Sequence, residues 1–181
     1  VQGVVPADLY LTDTQFIVAH FHATLFGGFV FPMMAAVYFW FPKVTGRFLS
    51  ERLGKAQWAI LTAGFFITYL PMFWLGLNGM RRRVADYDPL PGFQLMNDIT
   101  SFGGFLIGLA FTLFFINIIR SLRHGARAPT NPWQSQTLEW QVSSPPPEDN
   151  FETVPQVGGT PYGYGIPGSR HAVVTEPPEE V

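Results

Sequence analysis

The chain has 181 residues, of which 48% are hydrophobic and 13% are charged, and its formal net charge is −2. The charged fraction is about half of the quarter that is usual in soluble domains, which favours a membrane protein. The near-neutral charge argues against nucleic-acid binding, and the absence of cysteine excludes disulfides and thiolate metal sites and leaves histidine as the nitrogen ligand.

Residues 1–13 form a short lead of small and polar residues, which we place on the outer side of a membrane. It starts without a charged segment ahead of an apolar one, so we expect no signal peptide and interpret the chain as a piece of a longer protein. The carboxylates of Asp8 and Asp13 can cap a helix or be solvated. Asp13 is a candidate N-cap, because it directly precedes the first apolar segment.

The first transmembrane helix is predicted over residues 14–41, a segment without a charged side chain. It is longer than the roughly 20 residues that cross a bilayer, so a tilt is expected. Pro32 is expected to kink this helix, because proline removes a backbone hydrogen bond. Gly27 and Gly28 permit the close approach of another helix.

Two histidines near the start of this helix are the strongest functional signal. His20 and His22 are two residues apart, and a helix turns about 100° per residue, so their side chains point to nearly opposite faces. They cannot bind one metal together, but each can reach a different cofactor, with Phe21 between them. Ionisable residues inside a membrane span are functional candidates by default. The alternative is two hydrogen-bonded histidines between packed helices.

Two further apolar segments follow, separated by polar loops. Gly103, Gly104 and Gly108 are expected to let the last segment pack closely against another helix. The tail lacks an apolar period and is rich in proline, so we expect irregular structure held by its neighbours. The predicted elements are an inner loop over 42–56, a transmembrane helix over 57–77, an outer loop with an arginine cluster over 78–98, a transmembrane helix over 99–119 and an irregular inner-side tail over 120–181.

The distribution of positive charge predicts the orientation of the three spans. The loop over 42–56 carries four Lys or Arg residues and the start of the tail carries three, whereas the loop over 78–98 carries three and the lead none. Because cytoplasmic segments collect these residues, we expect the loop over 42–56 and the tail on the inner side. The arginine cluster then shares the outer side with the start of the first span and its histidines.

The arginines of the outer loop suggest an anionic cofactor near the histidines. A haem fits this pattern, since its iron takes a neutral imidazole and its two propionates take arginine. The alternative is a solvated loop in which Arg81, Arg82 and Arg83 pair with Asp86 and Asp88.

Many short motifs occur in the chain in a fixed order. They are VAHFH at 18–22, WFPKVTGR at 40–47, LGK at 53–55, PM at 71–72, LGLNGM at 75–80, RR at 82–83, DY at 86–87, FFINI at 114–118, NPW at 131–133, LEW at 138–140 and SPPP at 144–147. Together they resemble subunit I of the haem-copper oxidases of the cytochrome c oxidase type, and VAHFH resembles the signature of that family's tenth transmembrane helix. The resemblance covers about residues 8–152 and identifies the chain as a C-terminal fragment of such a subunit.

The resemblance implies an all-α integral membrane helix bundle, whose three transmembrane helices and irregular Pro- and Gly-rich tail belong to a larger, twelve-helix-type subunit. It implies that His20 is the axial ligand of a high-spin haem and that His22 is an axial ligand of a low-spin haem. Arg82 and Arg83 match the pair that binds haem propionates, and Asp8 matches an acid near the high-spin haem propionates. The resemblance implies no catalytic residue in this chain beyond the haem ligands.

Asp13 matches a residue that helps to hold magnesium in the family. The family usually has His before this aspartate, whereas this chain has Thr12. Magnesium prefers oxygen ligands, so Asp13 stays a candidate magnesium ligand. The copper-binding histidines and the second ligand of the low-spin haem belong to upstream helices in the family, so the chain alone is expected to be inactive.

The implied function is part of a terminal respiratory oxidase that reduces O₂ to water with electrons from cytochrome c and translocates protons. Expected cofactors are two haems of the a type and copper; expected partners are subunits of the II and III type, cytochrome c and the lipid bilayer. The expected location is the bacterial inner membrane, with the tail on the cytoplasmic side. Three alternatives stay open: a quinol oxidase of the same superfamily, an electron-transfer cytochrome b, and a structural or transport protein whose histidines bind no metal.

Overall fold

Three long apolar helices dominate the structure, a computed structural model that describes residues 3–87, 92–151, 154–157 and 172–173. The helices Gln15–Thr45, Glu51–Leu77 and Phe93–His124 are each long and apolar enough to cross a membrane. The predicted all-α membrane bundle with three spanning helices is therefore confirmed in the part of the chain that the structure describes.

The first span is interrupted by a wider turn. A short helix α1 (Val5–Leu11) lies in the lead, and the span consists of α2 (Gln15–Leu25), a π turn (Phe26–Val30) and α3 (Phe31–Thr45). In the π turn the N–H of Phe31 donates to the carbonyl of Phe26. Pro32 directly follows and has no N–H to donate, so regular α-helical bonding cannot continue through this point. The sequence predicted a kink at Pro32, and the structure has this π turn shortly before Pro32.

The other two spans extend beyond their apolar cores. Helix α4 (Glu51–Leu77) begins within the segment assigned to the loop over 42–56, and α5 (Phe93–His124) begins within the segment over 78–98 and continues into the tail. Residues with good helix propensity, such as Glu51 and Lys55 of α4 and Gln94 of α5, occur in these extensions. An i,i+4 ion pair between Lys55 and Glu51, with 2.8 Å between Nζ and Oε1, supports the first turns of α4.

The residues of Val1–Ala35 and Glu51–Asn117 form one compact unit, within which α4 packs against both α2 and α5. A Cβ atom on Gly76 of α4 would overlap the backbone of Phe16 of α2, and a Cβ atom on Gly103 of α5 would overlap Thr68 of α4. These two glycines therefore permit helix contacts that a side chain would prevent.

Close approach of a neighbouring helix was predicted at several glycines, and among the described residues the structure shows it at one of them. Gly103 packs against α4, whereas a Cβ atom on Gly27, Gly28, Gly104 or Gly108 would meet no atom within 4 Å among the described residues. Sequence alone does not reveal which face of a helix has a partner.

The residues of Ala36–Ser50 and Ile118–Val181 form a second unit, in which aromatic rings hold the start of the tail. Trp140 is 2% exposed and stacks on Trp40, with ring centroids 4.9 Å apart. The indole N–H of Trp133 donates to the carbonyl of Phe39 over 2.9 Å. These contacts attach the described start of the tail to the end of α3.

The described residues of the tail include few regular elements. A 3₁₀ turn (Leu138–Trp140) and a two-residue antiparallel pair of β1 (Gln156–Val157) with β2 (Ala172–Val173) are present in its described residues. Buried Lys43 at the end of α3 donates to the carbonyls of Thr130 and Val142 over 3.0 and 2.5 Å. The expectation of irregular structure held by its neighbours fits this arrangement, although the short strand pair was not predicted.

Candidate functional site

The two histidines of α2 lie in different environments. His20 is exposed, whereas His22 is half-buried and contacts Tyr69 of α4. The intervening Phe21 is 47% exposed. Ala19, one residue before His20, is completely buried, and it lies about 100° around α2 from the His20 imidazole. The two imidazoles are therefore available to different groups.

The imidazole of His22 is oriented by its own helix. Its Nδ1 lies 2.8 Å from the carbonyl oxygen of Val18, one turn earlier. A carbonyl can only accept, so Nδ1 carries the proton in this contact and Nε2 keeps its lone pair. Histidines that bind metals commonly donate their second ring N–H to a backbone carbonyl in this manner. This tautomer leaves a lone pair on Nε2 of His22 that could bind a metal.

Aromatic rings surround the same imidazole. The ring centroid of His22 is 4.2 Å from that of Phe21 and 5.4 Å from that of Tyr69, with interplanar angles of 30° and 17°. Tyr69 is 7% exposed and contacts Phe26 and Phe65 at centroid distances of 5.6 and 5.2 Å. Sequence reasoning missed Tyr69, because one aromatic residue in an apolar span gives no signal that distinguishes it from ordinary core.

The arginine cluster is attached to the first residues of α2. The Nε of Arg82 donates to Oδ1 of Asp13 over 2.7 Å, its Nη2 pairs with the same oxygen, and its backbone N–H donates to the Asp13 carbonyl over 2.9 Å. Thr14 forms an antiparallel bridge with Arg81, and the N–H of Gln15 donates to the carbonyl of Met80. The loop with the arginines is thus fixed beside the beginning of the helix that carries both histidines.

One expectation about the acids at this site is wrong. Thr14, and not Asp13, is the N-cap of α2: its hydroxyl oxygen accepts from the N–H of Phe16 over 3.2 Å. Asp13 has a φ of 61° and its side chain pairs with Arg82 instead. Arg82 pairs with Asp13 and not with Asp86. The carboxylate of Asp86 accepts from the backbone N–H of Tyr87 over 2.9 Å. Asp88 lies outside the described residues.

The other two predicted site residues lie on different segments of the chain. Asp8 is half-buried on α1, and Arg83 is exposed with a φ of 60°. Among the described residues no three His, Cys, Asp or Glu side chains form a group that could hold a metal ion. The carboxylate of Asp13 accepts from Arg82, and exposed Thr12 offers only a neutral hydroxyl oxygen. This donor set fits magnesium poorly. The separate imidazoles of His20 and His22 fit two different haems, one on each side of α2.

The comparisons with known proteins point to one family. Residues 1–106 match the family model described as cytochrome C and quinol oxidase polypeptide I. Cytochrome c oxidase subunit 1 of Thermostichus vulcanus is 49% identical over 164 residues, which cover 91% of this chain and 29% of that protein. The Synechocystis sp. protein of the same name is 44% identical, over 90% of this chain and 29% of its own length.

A third relative, cytochrome c oxidase subunit 1 of Corynebacterium diphtheriae, is 46% identical over 84% of this chain and 27% of its own length. The chain therefore spans less than a third of the length of these relatives.

Proposed function

Because the chain belongs to the cytochrome c and quinol oxidase polypeptide I family, we propose that it forms part of the catalytic subunit of a terminal respiratory oxidase. The complete enzyme takes electrons from cytochrome c, reduces O₂ to water and translocates protons. The observation that carries this proposal is the pair of imidazoles on α2, with the Nδ1 of His22 bonded to Val18 and its Nε2 free to bind iron.

Each histidine has its own role in the proposal. His20 is the axial ligand of the high-spin haem, and His22 is an axial ligand of the low-spin haem. The haems, when bound, supply one-electron transfer and oxygen binding. The N–H at Nδ1 of His22 donates to the carbonyl of Val18, which fixes the tautomer and leaves the lone pair of Nε2 for the iron. Phe21 lies between the two ligands in sequence and fills the space beside the His22 ring.

The arginines neutralise the haem propionates. Arginine has five N–H donors, and Arg82 uses its Nε and Nη2 toward Asp13. The donors on its Nη1 are therefore available to a propionate. Arg83 is exposed and offers its full guanidinium, and Asp8 lies near the high-spin haem propionates in this proposal. Asp13 holds Arg82 through their ion pair, and its role in the proposal does not depend on magnesium.

The complete enzyme contains parts that this chain does not supply. We propose copper bound to upstream helices, a-type haems, subunits of the II and III type, and a location in the bacterial inner membrane with the tail on the cytoplasmic side. His20 and His22 are each assigned to a different haem. Helix α2 therefore has no further histidine for the second ligand of the low-spin haem or for copper. The chain by itself is therefore expected to lack oxidase activity.

Difference spectra of variants test the two-haem proposal. Membranes containing the assembled oxidase with His20→Ala or His22→Ala are compared by reduced-minus-oxidised spectra, with and without carbon monoxide. We expect His20→Ala to lose the carbon monoxide-binding haem band and His22→Ala to lose mainly the low-spin band. His124→Ala is the control, because His124 is exposed at the last residue of α5. If both haem bands persist in both α2 variants, the histidines are structural and the proposal is wrong.

The family to which the chain belongs includes quinol oxidases, which makes quinol the second candidate donor. Oxygen consumption by the assembled enzyme with reduced cytochrome c or with a quinol distinguishes the two. Within this chain alone, an electron-transfer cytochrome b is disfavoured, because it requires histidines on two helices at matching depth. Helix α4 contains no histidine, and α5 contains only His124 at its end.

A further inference from the structure

Among the described residues, Tyr69 makes the one contact with the His22 imidazole that comes from another helix. The Nδ1 bond to Val18 comes from the same helix, and Phe21 is the neighbouring residue. Tyr69 belongs to α4 and stacks on the imidazole at 17°. The orientation of this imidazole therefore depends on how α4 packs against α2.

Two contacts together restrict the rotation of the His22 ring. The Nδ1 bond to the Val18 carbonyl fixes the direction of the ring edge, and it leaves the ring able to tilt about that bond. A nearly parallel aromatic face at a centroid distance of 5.4 Å opposes this tilt, because a tilted imidazole would lose its contact with Tyr69. Together the two contacts fix the direction of the ring edge and the tilt of the ring, and therefore the direction in which Nε2 points.

Tyr69 is itself held in place. It is 7% exposed, and its ring contacts Phe65 on α4 and Phe26 in the π turn. The π turn follows α2 directly, so Tyr69 contacts the span of His22 at the imidazole and again at Phe26. Local π turns occur frequently at functional sites. A ring with such surroundings can act as a fixed surface for the imidazole.

We propose that Tyr69 is a positioning residue that sets the plane of the His22 imidazole, and thereby the electronic state of the low-spin haem iron. This inference rests on the proposed function, in which Nε2 of His22 binds that iron. The plane of an axial imidazole determines which iron orbitals it overlaps, so it affects the g values of the ferric haem and its midpoint potential. The aromatic ring of Tyr69 carries this role, and its hydroxyl group does not.

The test compares Tyr69→Phe, Tyr69→Leu and Tyr69→Met in the assembled oxidase. Electron paramagnetic resonance of the ferric low-spin haem and redox titration of its absorbance band are measured, with haem content determined on the same samples. We expect Tyr69→Phe to keep the g values and the midpoint potential, because the stacked ring is retained. Tyr69→Leu and Tyr69→Met are expected to shift both, with the low-spin haem still bound.

A matched control removes an aromatic ring elsewhere between the same two helices. Phe73 of α4 contacts Phe16 of α2 edge to face at 4.9 Å. Phe73→Leu therefore perturbs the α2–α4 interface at a ring pair that does not include His22, and it is expected to leave the low-spin signal unchanged. An equal shift in Phe73→Leu would assign the effect to general packing and overturn the proposal.

The remaining outcomes are decisive as well. Unchanged g values in Tyr69→Leu and Tyr69→Met would contradict the positioning role. Loss of both haems in these two variants, with normal haem content in Tyr69→Phe, would make Tyr69 a packing residue only and would also overturn it. A low-spin signal that survives in His22→Ala would instead refute the proposed function, so the two failures are distinguishable.

Discussion

The contact between Asp13 and Arg82 joins residues that are 69 positions apart in sequence. The side chain of Arg82 is 28% exposed and that of Asp13 is 69% exposed. Exposed ion pairs contribute about 1 kcal/mol or less, so we do not regard this pair as a major source of stability. Its consequence is geometric, because it fixes one guanidinium beside the start of α2.

Substitution of Arg82 is expected to lower the midpoint potential of a haem. A nearby cation favours the reduced haem, which has one positive charge less, so Arg82→Ala removes a stabilising interaction of the reduced state. Asp13→Asn keeps the side-chain shape and removes an opposing anion, and we expect a smaller shift in the opposite direction. Redox titration of the haem bands measures both shifts. Arg120→Ala, an exposed change near the end of α5, is the control; unchanged potentials in Arg82→Ala would contradict the role of Arg82.

Local spacing was sufficient to select His20 and His22, because helical geometry depends only on neighbouring residues. Local spacing could not predict that His22 contacts Tyr69 or that Arg82 pairs with Asp13. Tyr69 meets His22 between two helices, and Asp13 meets Arg82 between two segments outside the helices. Such contacts depend on packing that a single sequence does not display. Asp13 also resembled an N-cap because Thr14, the actual cap, is the next residue.

At the scale of elements, adjacent glycines of α5 have different surroundings. A Cβ atom on Gly103 would overlap the backbone N and Oγ1 of Thr68, whereas a Cβ atom on Gly104 would meet nothing within 4 Å among the described residues. Both glycines lie in the same apolar segment and look equivalent in the sequence. The fold class follows from hydropathy and length, but the side of a helix that is buried follows from its neighbours.

Alanine at these two positions is expected to have unequal effects. Gly103→Ala forces α4 and α5 apart, and overpacking of this kind typically costs about 1–3 kcal/mol. Gly104→Ala adds a side chain that favours helix over glycine, and its Cβ atom would meet no atom within 4 Å among the described residues. We expect a lower yield of haem-containing enzyme and faster thermal loss of the haem bands in Gly103→Ala than in Gly104→Ala. Equal losses would show that α4–α5 packing does not set the difference.

At the scale of the whole molecule, the tail is the part that composition describes least well. Its proline content predicted irregular structure, and the described residues have little regular structure. The contacts that hold its start, such as the stacking of Trp140 on Trp40 and the bonds of Lys43, were not predicted. They join residues about a hundred positions apart, such as Lys43 and Val142, and aromatic or basic residues near the end of a span are equally typical of a membrane interface.

The orientation of the three spans is a proposal that single cysteines can test, because this sequence has no native cysteine. Positive charge places the loop with Ala85 outside and the tail with Ser143 inside. Both residues are exposed. In intact cells a membrane-impermeant maleimide is expected to label Ala85→Cys, and to label Ser143→Cys only after the membrane is opened. The unsubstituted enzyme gives the background. The reverse pattern would place the arginine cluster and the start of α2 on the cytoplasmic side and would invert the proposed topology.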